Sequence, residues 1–298
     1  MRISNKAEFD ALLEQIDQAL KKDGVPIHAR QIQGFMQVCQ KLQLSLPMVG
    51  EPIHGIYQGS SLAGHIRDWF VTRYGDRLKF DFSPGCFPIA IHEDLYLARL
   101  PFVLGSAKFF ISRAPRPSDQ QLNRISRDPV PFNFLDLVVD LTDGARQSLT
   151  DEELRSLSQL FLIALQQSSD WQIASREFQD AISDDLELSA TLAVDGKFGL
   201  SRWHSLQAAE KAIKAFIKQR GGLAPHIHNL RNLHDQAMQM GMPSLIVNDL
   251  TNAQCAADVR YEKKNSTQSQ TLAANEAARR ICTAIAQQIS SLASRPAS

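Results

Sequence analysis

The fold of the C-terminal region is decided by the stretch at residues 201–220, SRWHSLQAAEKAIKAFIKQR. Its apolar residues recur every three or four positions, which is the period of a helix with one buried face. They are Trp203, Leu206, Ala209, Ile213, Phe216 and Ile217. Gly221 and Gly222 follow, and glycine commonly ends a helix. The sequence therefore predicts a long amphipathic helix that ends at this pair of glycines.

The helical period continues towards the C-terminus. Three further helices are predicted, at residues 228–241, 244–261 and 268–293. Consecutive helices with short connections and no strand pattern are typical of an up-and-down bundle. A turn at Asp195-Gly196 precedes them. We therefore expect a helical domain at residues 200–293 and a separate N-terminal domain at residues 1–195.

The region before residue 195 mixes helices and strands, which predicts an α+β fold class for the chain. Helical spacing covers residues 6–22, 28–43 and 60–74, and a Thr150/Glu153 capping box opens a further helix. Alternating or short apolar stretches indicate strands of a mixed sheet. They lie at residues 77–82, 87–104, 107–113 and 134–141.

Composition narrows the classes of function. The chain has 298 residues, with 32 Lys plus Arg against 32 Asp plus Glu. Because the net charge is zero, contact with nucleic acid or an anionic membrane requires a local patch. The cysteines, Cys39, Cys86, Cys255 and Cys282, lack the spacing of a zinc site or a disulfide framework. With no long apolar run, we expect a cytoplasmic protein without cofactors and without a membrane partner.

Three stretches carry a resemblance to a known family: AEKAIKAFI at 209–217, HNLRNL at 228–233 and VRYEKK at 259–264. In this order and spacing, residues 202–285 resemble a HEPN domain. The resemblance implies a bundle of four or five helices that often dimerises and binds nucleotide or RNA. It also implies that many relatives cleave RNA without a metal ion. We expect a homodimer, because the apolar stripe of the last helix, Ala273 to Ile289, exceeds what its neighbours can cover.

Catalytic members of the family place an Arg and, a few residues later, a His near the start of the last long helix. Here Arg260 is followed by Tyr261, Glu262, Lys263, Lys264 and Asn265, with no histidine. The resemblance therefore implies a binding module. Its predicted site for nucleotide or RNA is Arg260, Tyr261, Lys263 and Lys264, with the cations on phosphate and the tyrosine on a base. The other interpretation is a solvated helix end whose cations face the helix dipole.

The alternative functions are kept open. A metal-independent ribonuclease of the toxin type would need a residue that titrates near neutral pH, and the candidates are Arg220, His226 and His228. His226, His228 and His234 are close in sequence, but a metal site is not predicted, because on a helix start they face different directions.

A third alternative is a structural oligomerisation module with a degenerate nucleotidyltransferase-like N-terminal domain. Gly59-Ser60, Asp81, Asp136 and Asp140 supply only a poor match to that arrangement. The expected function is therefore a nucleotide- or RNA-binding, dimerising HEPN protein with a stress- or defence-related accessory role.

Overall fold

The computed structural model describes residues 3–78, 83–101, 106–114, 129–261 and 265–293. Two compact units divide the chain, Met1–Phe82 and Ser83–Ser298. The expected boundary at 195–200 therefore lies inside the second unit. Asp195-Gly196 is a turn, as predicted, but the helices on either side of it pack against each other. No helix among the described residues has the length and apolarity to span a bilayer.

The first unit is helical. Helices α1 (Lys6–Lys22), α2 (Ile27–Leu42) and α3 (Gly59–Tyr74) are followed by a 3₁₀ helix at Gly75–Leu78. They bury one apolar core that includes Leu13, Ile16, Val38, Ile66 and Phe70. The three predicted helices are confirmed. The strand predicted at 77–82 is wrong at residues 77 and 78, which are in the 3₁₀ helix, and residues 79–82 lie outside the described residues.

The second unit begins with two small sheets rather than the mixed sheet expected. Strands β1 (Cys86–Ile91) and β2 (Asp94–Arg99) form an antiparallel hairpin, while β3 (Ala107–Phe110) and β4 (Val130–Asn133) pair in parallel. The strand predicted at 134–141 is wrong. Phe134–Leu137 form a 3₁₀ helix, because Asn133 caps that turn by accepting from the Leu135 amide. Helix α4 (Asp143–Ser148) follows.

The helical bundle completes the second unit, and it confirms the predicted fold class. Its helices are α5 (Asp151–Ala174), α6 (Arg176–Val194), α7 (Phe198–Gln219), α8 (Leu230–Gln239), α9 (Val247–Ala253) and α10 (Gln268–Ala293). The helix predicted at 244–261 is shorter than expected, since it ends at Ala253 and a 3₁₀ helix spans Ala257–Tyr261.

Helix α10 is the central element of the bundle. It packs against α5, α6, α7 and α9. Ala277, Ile281, Ile285 and Ile289 are buried in one core that also takes Phe178 from α6. The apolar stripe on which the expected dimer was based is therefore covered within the chain itself.

Candidate nucleic-acid interface

Arg260 lies in the 3₁₀ helix that follows α9. Its guanidinium carbon is 4.4 Å from the centre of the Trp203 ring and 5.0 Å from the centre of the Tyr261 ring. Its Nε donates a hydrogen bond to the Ala257 carbonyl at 3.2 Å. Stacking on aromatic faces favours a guanidinium because the ring faces are electron-rich. The arginine is therefore held between two rings that the sequence places far apart.

A glycine on α7 allows the 3₁₀ helix that carries Arg260 to lie close to α7. Gly199 is in the first turn of α7, and a Cβ built on it would lie 2.2 Å from the Val259 carbonyl oxygen. Any side chain at this position would push the 3₁₀ helix away from α7. Gly199 therefore sets the separation between the backbone that carries Arg260 and the helix that carries Trp203.

A second arginine lies next to Trp203 in the sequence. Arg202 precedes Trp203 on α7, and its Nη1 donates to Ser266 Oγ at 3.2 Å. Its Nε is buried and has no hydrogen-bond partner among the described residues. We call Arg202, Trp203, Arg260 and Tyr261 the aromatic-arginine cluster. Sequence reasoning had assigned Trp203 to the core, and the structure places it partly buried against that core and under Arg260.

The aromatic-arginine cluster offers an aromatic ring for a base and cations for phosphate, which are the two contacts by which proteins bind single-stranded nucleic acid. The Tyr261 residue is 64% exposed, which leaves ring surface open to a base. Arginines beside aromatic rings bind phosphate oxygens while the rings stack bases. The predicted site residues Arg260 and Tyr261 are thus brought together. Lys263 and Lys264, the other two, lie outside the described residues.

Arg220, His226 and His228 are the residues predicted for a ribonuclease site, and the structure brings them only partly together. His228 is 67% exposed, and its Nδ1 lies 2.9 Å from Oε2 of the buried Glu210 on α7. The same carboxylate accepts from Lys214 Nζ at 2.7 Å. Arg220 donates to the Met240 carbonyl at 3.0 Å. Among the described residues, no hydrogen bond or ion pair joins Arg220 to His226 or to His228.

A further histidine-carboxylate pair was not foreseen from the sequence. His204 Nδ1 lies 2.7 Å from Oδ1 of the buried Asp185, and Lys211 Nζ is 2.6 Å from the other carboxylate oxygen. Lys211, Lys214 and Lys218 also line a cavity of about 560 Å³ between α6 and α7. Lysines three and four positions apart on one helix share a face, and this spacing was the available signal.

The remaining sequence candidates have structural roles. His234 is buried and its Nε2 accepts from the Leu245 amide at 3.0 Å. Asp136 pairs with Arg146 at 2.7 Å, and Asp140 has a φ of 58°. Asp81 lies outside the described residues. Within the described part of the chain, no group of three His, Cys, Asp or Glu residues could hold a metal ion.

The comparison with protein families agrees with the position of the bundle, since residues 178–289 match the HEPN domain. The C-terminal region carries a HEPN domain. No curated protein and no solved structure matches the chain. The HEPN match begins in α6 and ends in α10, so it includes α6, which precedes residue 200, where the bundle was predicted to begin. It contains the whole aromatic-arginine cluster as well as the His228-Glu210 pair.

Proposed function

We propose that the HEPN domain binds single-stranded RNA through the aromatic-arginine cluster. The observation that carries this proposal is the Arg260 guanidinium, which lies against the rings of Trp203 and Tyr261. In this role the exposed tyrosine stacks on a base, and Arg202 and Arg260 contact the phosphates on either side. A mononucleotide would use the same contacts with fewer phosphates.

The charge of the chain supports a site of this kind. With 32 basic and 32 acidic residues, the chain has no excess positive potential to hold RNA without contact. Affinity must then come from stacking and from a few directly bound phosphates. Lys263 and Lys264 follow the cluster in sequence and would add cations to it.

The test is RNA binding by variants of the cluster. Tyr261→Leu and Arg260→Gln should each weaken the binding of a short oligouridine by about 1–3 kcal/mol, because the first removes the ring that stacks on a base and the second removes a phosphate contact. Arg260→Gln should also lower the slope of log affinity against log salt by about one. Fluorescence anisotropy at several salt concentrations measures both quantities.

The matched control is Arg176→Gln, which removes an arginine that is exposed and has only a loose ion pair with Asp180. This variant should bind RNA as the wild type does. Equal losses in Arg176→Gln and Arg260→Gln would mean that the arginines act only through general charge. Wild-type affinity in Tyr261→Leu would exclude stacking at this site.

A metal-independent ribonuclease is the second candidate, and the His228-Glu210 pair favours it. An exposed imidazole oriented by a buried carboxylate has the arrangement of a general base for 2′-hydroxyl attack. In such a reaction the imidazole would take the 2′-hydroxyl proton, the 2′-oxygen would bond to phosphorus as the bond from phosphorus to the 5′-oxygen breaks, and the leaving 5′-oxygen would take a proton from water.

Ribonuclease activity is tested in the presence of a chelator. If the domain cleaves RNA, His228→Asn should reduce the rate by about 10²–10⁴-fold, because it removes the proton acceptor. His226→Asn is the matched control and should leave the rate unchanged, since His226 has no such carboxylate. Absence of cleavage by the wild type would leave binding as the function.

Dimerisation and an accessory role in stress or defence remain proposals. Their support is the HEPN resemblance, since the α10 stripe from which a dimer was expected is buried within the chain. A dimeric mass in light scattering would support the first proposal. A purely structural module, the third alternative, would show no shift of melting temperature with RNA or any nucleotide.

A further inference from the structure

Arg279 on α10 is a buried cation that forms no ion pair with the described residues. The residue is 7% exposed, and its Nε has no hydrogen-bond partner among the described residues. No ion pair of Arg279 occurs in the described part of the chain. Its guanidinium carbon lies 4.6 Å from the centre of the Phe87 ring and 5.8 Å from that of Trp171. These rings lie against the guanidinium, while its buried Nε finds no acceptor among the described residues.

The charge on Arg279 persists at neutral pH. Burial lowers the pKa of this guanidinium to about 10, which still leaves it protonated at pH 7. A buried charge without a partner is costly, so proteins pair such groups or neutralise them. The buried Nε of Arg279 is therefore a place where an anion would be stabilised.

A cavity of about 200 Å³ lies at this position, between the start of β1, the end of α5 and α6. Arg279 lines it together with the apolar side chains of Pro84, Leu100, Trp171 and Leu186. This volume is smaller than the roughly 300–1,000 Å³ that holds drug-sized ligands. The space fits a compact molecule with one polar end and an apolar body.

Two other ionisable side chains line the cavity and restrict the ligand. Cys86 lines the cavity, but burial raises the pKa of its thiol to about 12, so the thiol stays neutral and supplies no counter-charge. Glu187 lines the exposed side and carries a negative charge that opposes a second anionic group. One guanidinium and one opposing carboxylate favour a monoanion over a phosphate dianion.

We propose that this cavity binds a small monocarboxylate with an apolar body, whose carboxylate accepts hydrogen bonds from the fork of Arg279. The planar guanidinium matches a carboxylate in a bidentate contact. The ligand body packs on Leu100, Trp171 and Leu186. This site is formed by other residues than the aromatic-arginine cluster, and the proposal does not depend on RNA binding.

The test uses benzoate as the probe and isothermal titration calorimetry on the full chain. Benzoate should bind the wild type at one site, and Arg279→Met should weaken that binding by at least about tenfold, because the anion loses its only cation. Arg279→Lys keeps the charge but loses the fork, so its affinity should lie between the two. Arg176→Met is the matched control and should bind as the wild type does.

Cysteine labelling gives a second measurement that needs no variant. Benzoate should slow the reaction of Cys86 with methyl methanethiosulfonate, since both occupy the same cavity. Cys39 is partly exposed and lies in the first unit, so its rate should not change. Mass spectrometry of the labelled peptides separates the two rates, and protection of both cysteines would mean a non-specific effect that contradicts the proposal.

The last variant fills the cavity with a larger side chain. Ser183→Leu retains Arg279 and places a larger side chain at the cavity wall, so benzoate binding should be lost. The proposal is overturned if benzoate does not bind the wild type, if Arg279→Met binds it equally well, or if inorganic phosphate displaces it at lower concentration. The melting temperature of each variant shows whether it is folded.

Discussion

At the scale of single residues, Asp17 on α1 shows how the first unit holds a buried charge. The carboxylate is fully buried and lies 2.7 Å from Lys21 Nζ and 3.1 Å from Arg73 Nε. The Tyr74 hydroxyl donates to it at 2.6 Å. Desolvation raises the pKa of this carboxyl, but the hydrogen bonds from Lys21 and Tyr74 and the two cations outweigh it, so the pKa is lowered.

Replacing this carboxylate should be destabilising. We expect Asp17→Asn to lower the free energy of unfolding by about 1–3 kcal/mol, because Lys21, Arg73 and the Tyr74 hydroxyl lose the buried carboxylate that they share. Urea denaturation measures the change. Asp10→Asn, at an exposed carboxylate paired with Lys6, is the matched control and should change stability by less than about 1 kcal/mol.

The lowered pKa of Asp17 predicts how the stability of the protein depends on pH. Because the folded pKa of Asp17 is below the unfolded value near 3.9, its contribution is present above that pH and is lost as pH falls through the folded pKa. Melting temperatures recorded below about pH 4 should fall more steeply for the wild type than for Asp17→Asn. Parallel pH profiles for the two proteins would contradict this assignment.

At the scale of elements, the contact between α7 and the 3₁₀ helix at Ala257–Tyr261 determines the geometry of the proposed RNA site. Gly199 permits that contact, since a Cβ would lie 2.2 Å from the Val259 carbonyl oxygen. Trp203 is one helical turn further along α7 and faces Arg260. The arrangement of the cluster therefore depends on a residue that does not touch RNA.

We expect Gly199→Ala to destabilise the protein and to weaken RNA binding. The added methyl group must displace backbone rather than a flexible side chain, which costs about 1–3 kcal/mol. Gly144→Ala is the matched control, because the nearest atom to its Cβ is 4.0 Å away. Thermal unfolding and anisotropy measure the two effects. Wild-type stability in Gly199→Ala would show that the contact is not close in solution.

At the scale of the whole molecule, the bundle core extends beyond the helices predicted to form it. Trp171 of α5 and Phe178, Ile182 and Leu186 of α6 are buried in the same core as Ile213 of α7. An independent domain at residues 200–293 would expose the surfaces that these side chains cover. The compact unit Ser83–Ser298 keeps them together.

Two fragments of the chain distinguish the compact unit Ser83–Ser298 from the predicted domain at residues 200–293. We expect residues 83–298 to unfold in a cooperative transition and residues 200–293 to lack one, because the shorter fragment loses α6 and the apolar surface it buries. Circular dichroism with heating is the measurement. A cooperative transition in the shorter fragment would support the sequence-based boundary at 195–200 instead.

Local patterns in the sequence determined most of the elements. The 3.6-residue period located α7 and the full extent of α10, and Thr150 with Glu153 forms the predicted capping box at the start of α5. These features depend on neighbours within a few residues. The apolar stretch at 134–141 was misread as a strand because an apolar run indicates burial without specifying the backbone conformation.

The tertiary structure alone decided which faces and which distant residues meet. The apolar stripe of α10 has the same helical period whether it is covered by a second chain or by other helices of its own chain. Only the tertiary structure shows that α5, α6, α7 and α9 cover it. The contact of Arg260 with Trp203 spans the whole of α8 and α9, and the contact of His228 with Glu210 joins α7 to the segment before α8, so both arise from packing. The burial of Arg279, whose Nε has no acceptor in the part of the chain that the structure describes, is equally invisible in sequence, because burial is a property of the folded surroundings.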